Sequence, residues 1–360
     1  MTVSRRKYLV FAAVAMTLSI IVCLAGALAA DLYLHHRAER SAGLNRWGYR
    51  GPIAGQKQPG ELRVVVLGGS TAFGYGVTWD EAIPALLERK LNQQQGNAPA
   101  RVVNLGFNNE GAYSFLPTLK DFEYLDYDVV CFYEGYNDLS GDAIPNRAVY
   151  RHESAVFRLT GYSPILPLWL REKALLLRYG GDLKAAYAAT LDGNANTTVF
   201  RPNLSDRTSA AALEAAAEVS KSLGRQLDRW SAEQPPATAI ASEAGCPFPW
   251  ANYCQAIYVA TRYVLDHDKA VAIVAQPRKL EDSGRRHAQQ QHALVEMIAR
   301  HFSNNPRVKY VDLGDAVDLK NTDIVFDTMH LNAEGNAIIA QGLVEPVREL
   351  AAIREGTSTP

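Results

Sequence analysis

Hydrophobic and polar positions give this chain three stretches of different rhythm. The first is an uncharged run from Tyr8 to Ala30, introduced by Ser4-Arg5-Arg6-Lys7 and closed by Asp31. As a helix rising 1.5 Å per residue it would be roughly 34 Å long, enough to cross a bilayer. The second rhythm is one of short apolar runs suited to buried strands. Leu62-Arg63-Val64-Val65-Val66-Leu67 ends at Gly68-Gly69, Val102-Val103 opens another, and Asp128-Val129-Val130-Cys131-Phe132-Tyr133 makes a third. Between the first two, Ile83, Leu86, Leu87 and Leu91 fall at helical spacing behind Asp80, a candidate N-cap. The same pattern returns in Ala270-Val271-Ala272-Ile273-Val274 and Val308-Lys309-Tyr310-Val311, each preceded by a helical segment. Strands alternating with helices predict an α/β fold whose mainly parallel sheet is covered on both faces. In such sheets ligands bind beyond the carboxyl ends of the strands.

The third rhythm is an interruption. From about residue 139 to 245 the chain is helical and loop-like, Ala-rich at 210–223 and Pro-rich at 164–167 and 235–236. This reads as an insertion or lid after the third strand, not a separately folding unit. Residues 31–60 are charged and then rich in Gly, Pro and Gln, which reads as a polar tether; 354–360 reads as a polar tail.

With 360 residues, 48% of them hydrophobic, the chain can build a large core without a disulfide scaffold. A net charge of -1 without a long basic run argues against nucleic acid as a partner. The N-terminal run allows several readings. Its length favours a signal anchor, since signal-peptide cores are shorter. Ala27-Leu28-Ala29 fits a cleaved signal, and with it a secreted protein. Ser-Arg-Arg-Lys-Tyr-Leu is similar to a twin-arginine export signal, although the run is greasy for one. A buried helix of a soluble protein is the plain alternative. Arg5, Arg6 and Lys7 are compact on the N side, while Arg37, Arg40, Arg46 and Arg50 follow the run, and the body is expected outside the cytoplasm. Cys23 and Cys131 read as small apolar residues. Cys246 and Cys254 flank a turn-rich loop and could close a ring in an oxidising compartment, two free thiols being the alternative. No C-x-x-C supports a zinc site.

Three strand ends carry candidate chemistry. Gly68-Gly69-Ser70-Thr71 follows the first strand, where glycines let the backbone turn sharply and let a substrate approach. A phosphate-cradling turn is the blander reading, but there is neither a P-loop Lys-Ser/Thr nor a G-x-G-x-x-G in register, and Ala72 breaks the G-x-S-x-G elbow. Gly135-Tyr136-Asn137-Asp138 follows the third strand. Asn137 could aim an amide N–H at a developing oxyanion, or the segment could be only a turn. Asp138 reads as a local backbone acceptor or cap, and nothing pairs Glu134 with a base. Asp327-Thr328-Met329-His330 places an acid and an imidazole three apart before a helix. The acid can fix the ring tautomer while the other ring nitrogen faces a nucleophile. A metal pair would need a third ligand that no strand end offers.

Taken together and in this order, Ser70, Gly135-Tyr136-Asn137-Asp138 and Asp327-Thr328-Met329-His330 resemble the SGNH (GDSL-like) hydrolases. The resemblance covers roughly residues 62–138 and 250–350. Two features depart from it. Gly69 stands where the family often has Asp, and the glycine block, Asn104 to Ser114, carries two extra residues. Gly111 is the preferred backbone oxyanion donor there, with Asn109 and Gly106 as alternatives. The resemblance implies a three-layer α/β/α domain over residues 61–353 and ester hydrolysis without metal or cofactor. Ser70 would be the nucleophile, His330 the base and Asp327 its support. The Ser70 N–H, the Gly111 N–H and the Asn137 amide would bind the oxyanion. An exported site suggests the ester of a cell-envelope glycan or lipid, or an extracellular small-molecule ester, as substrate. An O-acyltransferase passing the acyl group to a sugar, or a non-catalytic glycan binder using Trp169, Tyr179 and Trp230, are the rivals.

Overall fold

A computed structural model describes residues 5–93, 99–108, 110–133, 135–139, 155–178, 243–278, 281–327 and 329–357. They fall into two compact units, one of residues 1–40 with 153–232, the other of residues 41–152 with 233–360.

The first unit holds most of helix α1 (Arg5–Ala42) together with α5 (Ala155–Thr160) and α6 (Leu166–Arg178). The uncharged run lies inside α1, which is long and apolar enough to cross a membrane and is unburied over that window. Its helix does not stop at Asp31, so the segment expected as a tether is helical through Ala42. Asp31 explains why. Its carboxylate is buried and accepts the Ile165 and Leu166 N–H groups at 2.9 and 2.6 Å, satisfying the opening of α6, and also the Tyr162 hydroxyl. The described helices of the expected insertion thus group with the N-terminal helix and not with the sheet. The remainder of the expected insertion, including its Ala-rich part, lies outside the described residues.

The second unit is built on a parallel sheet. Its strands are β1 (Leu62–Gly68), β2 (Ala100–Asn104), β3 (Val129–Tyr133), β4 (Ala270–Ala275) and β5 (Val308–Asp312), in the order β2-β1-β3-β4-β5. Val66 lies opposite Asn104 on one side and Cys131 on the other, and Cys131 in turn opposite Ala272. Strands buried on both faces read as unbroken apolar runs, which is why β1, β3 and β4 are legible in sequence. Along β3, Val129, Cys131 and Tyr133 join a core with Ile83, Leu87 and Leu91 of α3 (Ile83–Asn92) and Ile339, Leu343 and Val347 of α9 (Ala333–Thr357). Phe132 points the other way and stacks on Phe115 of α4 (Phe115–Asp121), centroids 4.6 Å apart. Helices α7 (Ala251–Asp266) and α8 (Glu281–Phe302) precede β4 and β5.

Three expectations are corrected. Asp80 does not cap α3; the Glu81 carboxylate takes the Thr78 N–H and hydroxyl, and α3 starts later, at Ile83 behind Ala82. The tail is partly helical, since α9 runs to Thr357. Beyond α1 the supposed tether is built into the sheet unit: Gly51 N–H bonds the Gly43 carbonyl, and Arg50 N–H bonds that of Asn104. Cys246 and Cys254 form a disulfide, while Cys131 is free and buried in β3, its thiol pushed up to about 12 by burial.

Candidate active site

The sheet order makes β1 the switch strand, with β2 on one side and β3 on the other, so a crevice opens beyond its carboxyl end. Ser70 sits there as the first residue of a four-residue helix, α2 (Ser70–Phe73). Gly68 makes the exit possible. Its φ is +156°, and a Cβ there would stand 2.1 Å from the Tyr133 carbonyl. Because Ser70 opens α2, its N–H has no partner within the helix.

The Ser70 hydroxyl is 2.7 Å from His330 Nε2, and His330 Nδ1 is 2.7 Å from Asp327 Oδ2. The other Asp327 oxygen accepts the Met329 and His330 N–H groups, each at 2.8 Å. Three bonds from Met329 and His330 thus lock the Asp327 carboxylate against the ring. The carboxylate can only accept, so Nδ1 carries the proton and Nε2 is left to accept from Ser70. Burial works against the Asp327 charge, but the bonds from the His330 ring and the two backbone N–H groups outweigh it and hold this carboxyl below its ordinary range. The Tyr75 ring lies against the imidazole, centroids 4.9 Å apart, and Tyr75 is more than half exposed.

Asn137 and Asp138 brace the glycine block from either side of Gly111. Asn137 Nδ2 donates to the Glu110 carbonyl at 2.6 Å, and Ala112 N–H donates to Asp138 Oδ2 at 3.0 Å. Gly111 must lack a side chain, since a Cβ would stand 2.7 Å from the Asp138 carboxylate. Among the described residues nothing accepts from the Gly111 N–H, whereas the Gly106 N–H is taken by Asn104 Oδ1 at 3.0 Å. Of the alternatives weighed for the backbone donor, Gly106 is therefore committed elsewhere, and Asn109 lies outside the described residues. Burial raises the Asp138 carboxyl to about 7 against the Ala112 bond. Asp138 is thus the local backbone acceptor expected of it. Glu134 lies outside the described residues, as do Tyr179 and Trp230; Trp169 is in α6 of the other unit, partly exposed.

Sequence reasoning missed Gln276, which follows β4 directly. It donates to Thr71 Oγ1 at 2.7 Å and accepts the Tyr136 N–H at 3.0 Å, tying two of the motif turns together. A polar residue closing the run Ala270 to Ala275 was the available signal, at the very strand end where ligands are expected.

The family model for the GDSL-like lipase/acylhydrolase family matches residues 66–338. The chain belongs to that family and is an ester hydrolase of the SGNH type. Solved structures similar to it include a catalytic mutant of Axe2, an acetylxylan esterase from Geobacillus stearothermophilus, at 12% identity and TM-score 0.39, covering 81% of this chain and 96% of that one. A family 3 carbohydrate esterase from Clostridium thermocellum matches at 13% identity and TM-score 0.38, covering 81% and 99%. A member of the lipolytic protein G-D-S-L family from Veillonella parvula DSM 2008 matches at 9% identity and TM-score 0.36, covering 79% and 97%. No curated protein matches this chain.

Proposed function

We propose that this hydrolase cleaves acyl esters outside the cytoplasm by a serine mechanism at Ser70. The observation that carries the reading is the continuous chain from Ser70 Oγ through the His330 ring to Asp327, with both links at 2.7 Å. Ser70 Oγ attacks the ester carbonyl carbon and its proton passes to His330 Nε2. Asp327 holds the resulting imidazolium. The carbonyl oxygen becomes an oxyanion held by the Ser70 and Gly111 N–H groups and the Asn137 amide, donors fixed before the reaction starts. His330 gives its proton to the departing alkoxide, leaving an acyl-enzyme. Water, deprotonated by the same imidazole, then releases the acid.

The exported location rests on the membrane-length apolar helix and on the Cys246–Cys254 disulfide, a bond that persists in oxidising compartments. It favours a small-molecule or glycan ester of the cell envelope as substrate. Purified protein should release free acid from short-chain acyl esters, with or without a glycan acceptor, and Ser70→Ala should not. Acylated glycan would make the protein a transferase instead, and an active Ser70→Ala protein would end the serine mechanism. In a bacterial host, residues beyond Asp31 should be cleaved by protease added to intact spheroplasts; protection would reverse the orientation.

A further inference from the structure

Arg50 precedes the family match at residue 66, yet it reaches the turn that carries Ser70. Its Nη1 donates to the Gly74 carbonyl at 2.7 Å and to that of Phe73, its Nη2 to Val77, and its Nε to Ala42 at 2.7 Å. The guanidinium also lies 4.4 Å from the centroid of the Phe73 ring. The residue is buried, and among the described residues no carboxylate pairs with it within 4 Å. A buried charge without a counter-ion is costly and persists only where its hydrogen bonds compensate. Here three of the four go to carbonyls at the end of one short helix and the loop after it, and the fourth to the Ala42 carbonyl at the end of α1. Burial draws the guanidinium down to about 10, with Asp80 opposing, so it stays charged at neutral pH.

The recipient of those bonds has few of its own to hold its carbonyl end. α2 is one turn long, and apart from Arg50 its termini are secured by Phe73 N–H on the Gly69 carbonyl, by Gly74 and Tyr75 N–H on the Ser70 carbonyl, and by Asn104 Nδ2 on the Phe73 carbonyl. The carbonyls at the end of a helix have no partner within it. Ser70 stands at the opposite end of this same turn, so a shift of the Phe73 and Gly74 peptides moves the serine against His330.

We infer that Arg50 is a positioning residue for Ser70, its guanidinium clamping the carbonyl end of the nucleophile turn. This inference rests on the reading of Ser70 as nucleophile. Lysine cannot replace it, because an ammonium is a point charge while the planar fork serves separate acceptors at fixed angles. In the full-length chain, Arg50→Lys should lower kcat by roughly 10- to 100-fold with KM nearly unchanged, the range a misplacement of about 1 Å produces. Rates are taken per reactive serine, counted with a small organophosphonate, so that unfolded protein does not enter. Guanidinium ion, far below denaturing concentrations, should restore part of the Arg50→Ala rate where ammonium ion does not. A kcat within twofold of wild type in Arg50→Lys overturns the inference even if the melting temperature falls. So does failure of both variants to fold, which makes the role one of stability alone. Ser70→Ala, assayed alongside, separates the two levels: if it is inactive the nucleophile reading stands whatever Arg50 does, and if it is active both fall.

Discussion

Replacing Asp327 by Asn should harm this enzyme more than replacing it by Ala. In the native loop one carboxylate oxygen accepts two backbone N–H groups and the other accepts from His330 Nδ1. An asparagine has only one acceptor oxygen. If that oxygen keeps the two backbone bonds, the amide NH2 faces Nδ1, and Nδ1 must then be the unprotonated nitrogen. The proton moves to Nε2, the atom facing Ser70, and the base is lost. Flipping the amide restores the tautomer but sets NH2 against the Met329 and His330 N–H groups. Losing those two bonds costs about 1 kcal/mol each, and the opposed donors add to it, so the wrong tautomer is favoured by about 2–3 kcal/mol. At about 1.4 kcal/mol per factor of ten, that leaves roughly one molecule in 30 to 150 competent. The lost attraction to the imidazolium adds a further factor of roughly five, a modest one because the Asp327 side chain is 48% exposed and solvent screens the pair. Asp327→Asn should therefore lose roughly 10²–10³ in kcat/KM. In Asp327→Ala the ring is free to take either tautomer and water can reach the vacated donors, so the loss should be roughly ten- to thirtyfold. Steady-state kinetics on a short-chain acyl ester, between pH 7 and 9, compare the two variants directly. Equal rates, or a faster asparagine variant, would mean that Asp327 does not set the tautomer.

Two further outcomes follow from the braced glycine block. Asn137→Ala should lower kcat by about 10²–10³ with little change in KM, because an oxyanion donor is worth most when charge has developed; a kcat within a few-fold of wild type would leave Asn137 as a turn residue that only supports the Glu110 carbonyl. Asp138 should make stability fall as pH rises. Its folded pKa, about 7, lies above the ordinary unfolded value near 3.9, so between about pH 4 and 7 the native state holds a proton that the unfolded chain has released. Asp138→Asn keeps an acceptor for the Ala112 N–H and should remove that part of the slope in melting temperature over this window; an unchanged slope would mean that another group produces it.

The parts of this molecule that were legible in the sequence share a physical cause. β1, β3 and β4 are buried on both faces and show as unbroken apolar runs. Ser70 and Asn137 stand just past the ends of β1 and β3, among glycines and turn formers, and Asp327 and His330 stand three apart in the loop that leads into α9. A site that needs particular side chains at one point leaves those residue types in the sequence, and particular side chains make a pattern.

Arg50 and Asp31 left no comparable pattern and Gln276 only a polar end to the β4 run, and the reason lies in what they bind. Arg50 spends its donors on the carbonyls of Ala42, Phe73, Gly74 and Val77, and Asp31 takes the N–H groups of Ile165 and Leu166. Gln276 accepts the N–H of Tyr136, and its one side-chain partner is the Thr71 hydroxyl, a group that serine carries as well. A backbone N–H or carbonyl is the same group whichever residue carries it, so such a bond places no demand on the identity of its partner. In the sequence each of these residues is a lone polar letter: Arg50 and Asp31 look like parts of a solvated tether, and Gln276 like a strand cap. α1 also runs on past its apolar span. Leu32, Leu34, Arg37, Ala38, Glu39 and Arg40 favour a helix there, and the buried Asp31 carboxylate that closes the start of α6 ties it to the rest of its unit. The side chains proposed for catalysis could thus be found by pattern, while the framework around the Ser70 turn is built mostly from side-chain bonds to backbone groups, which only the folded chain reveals.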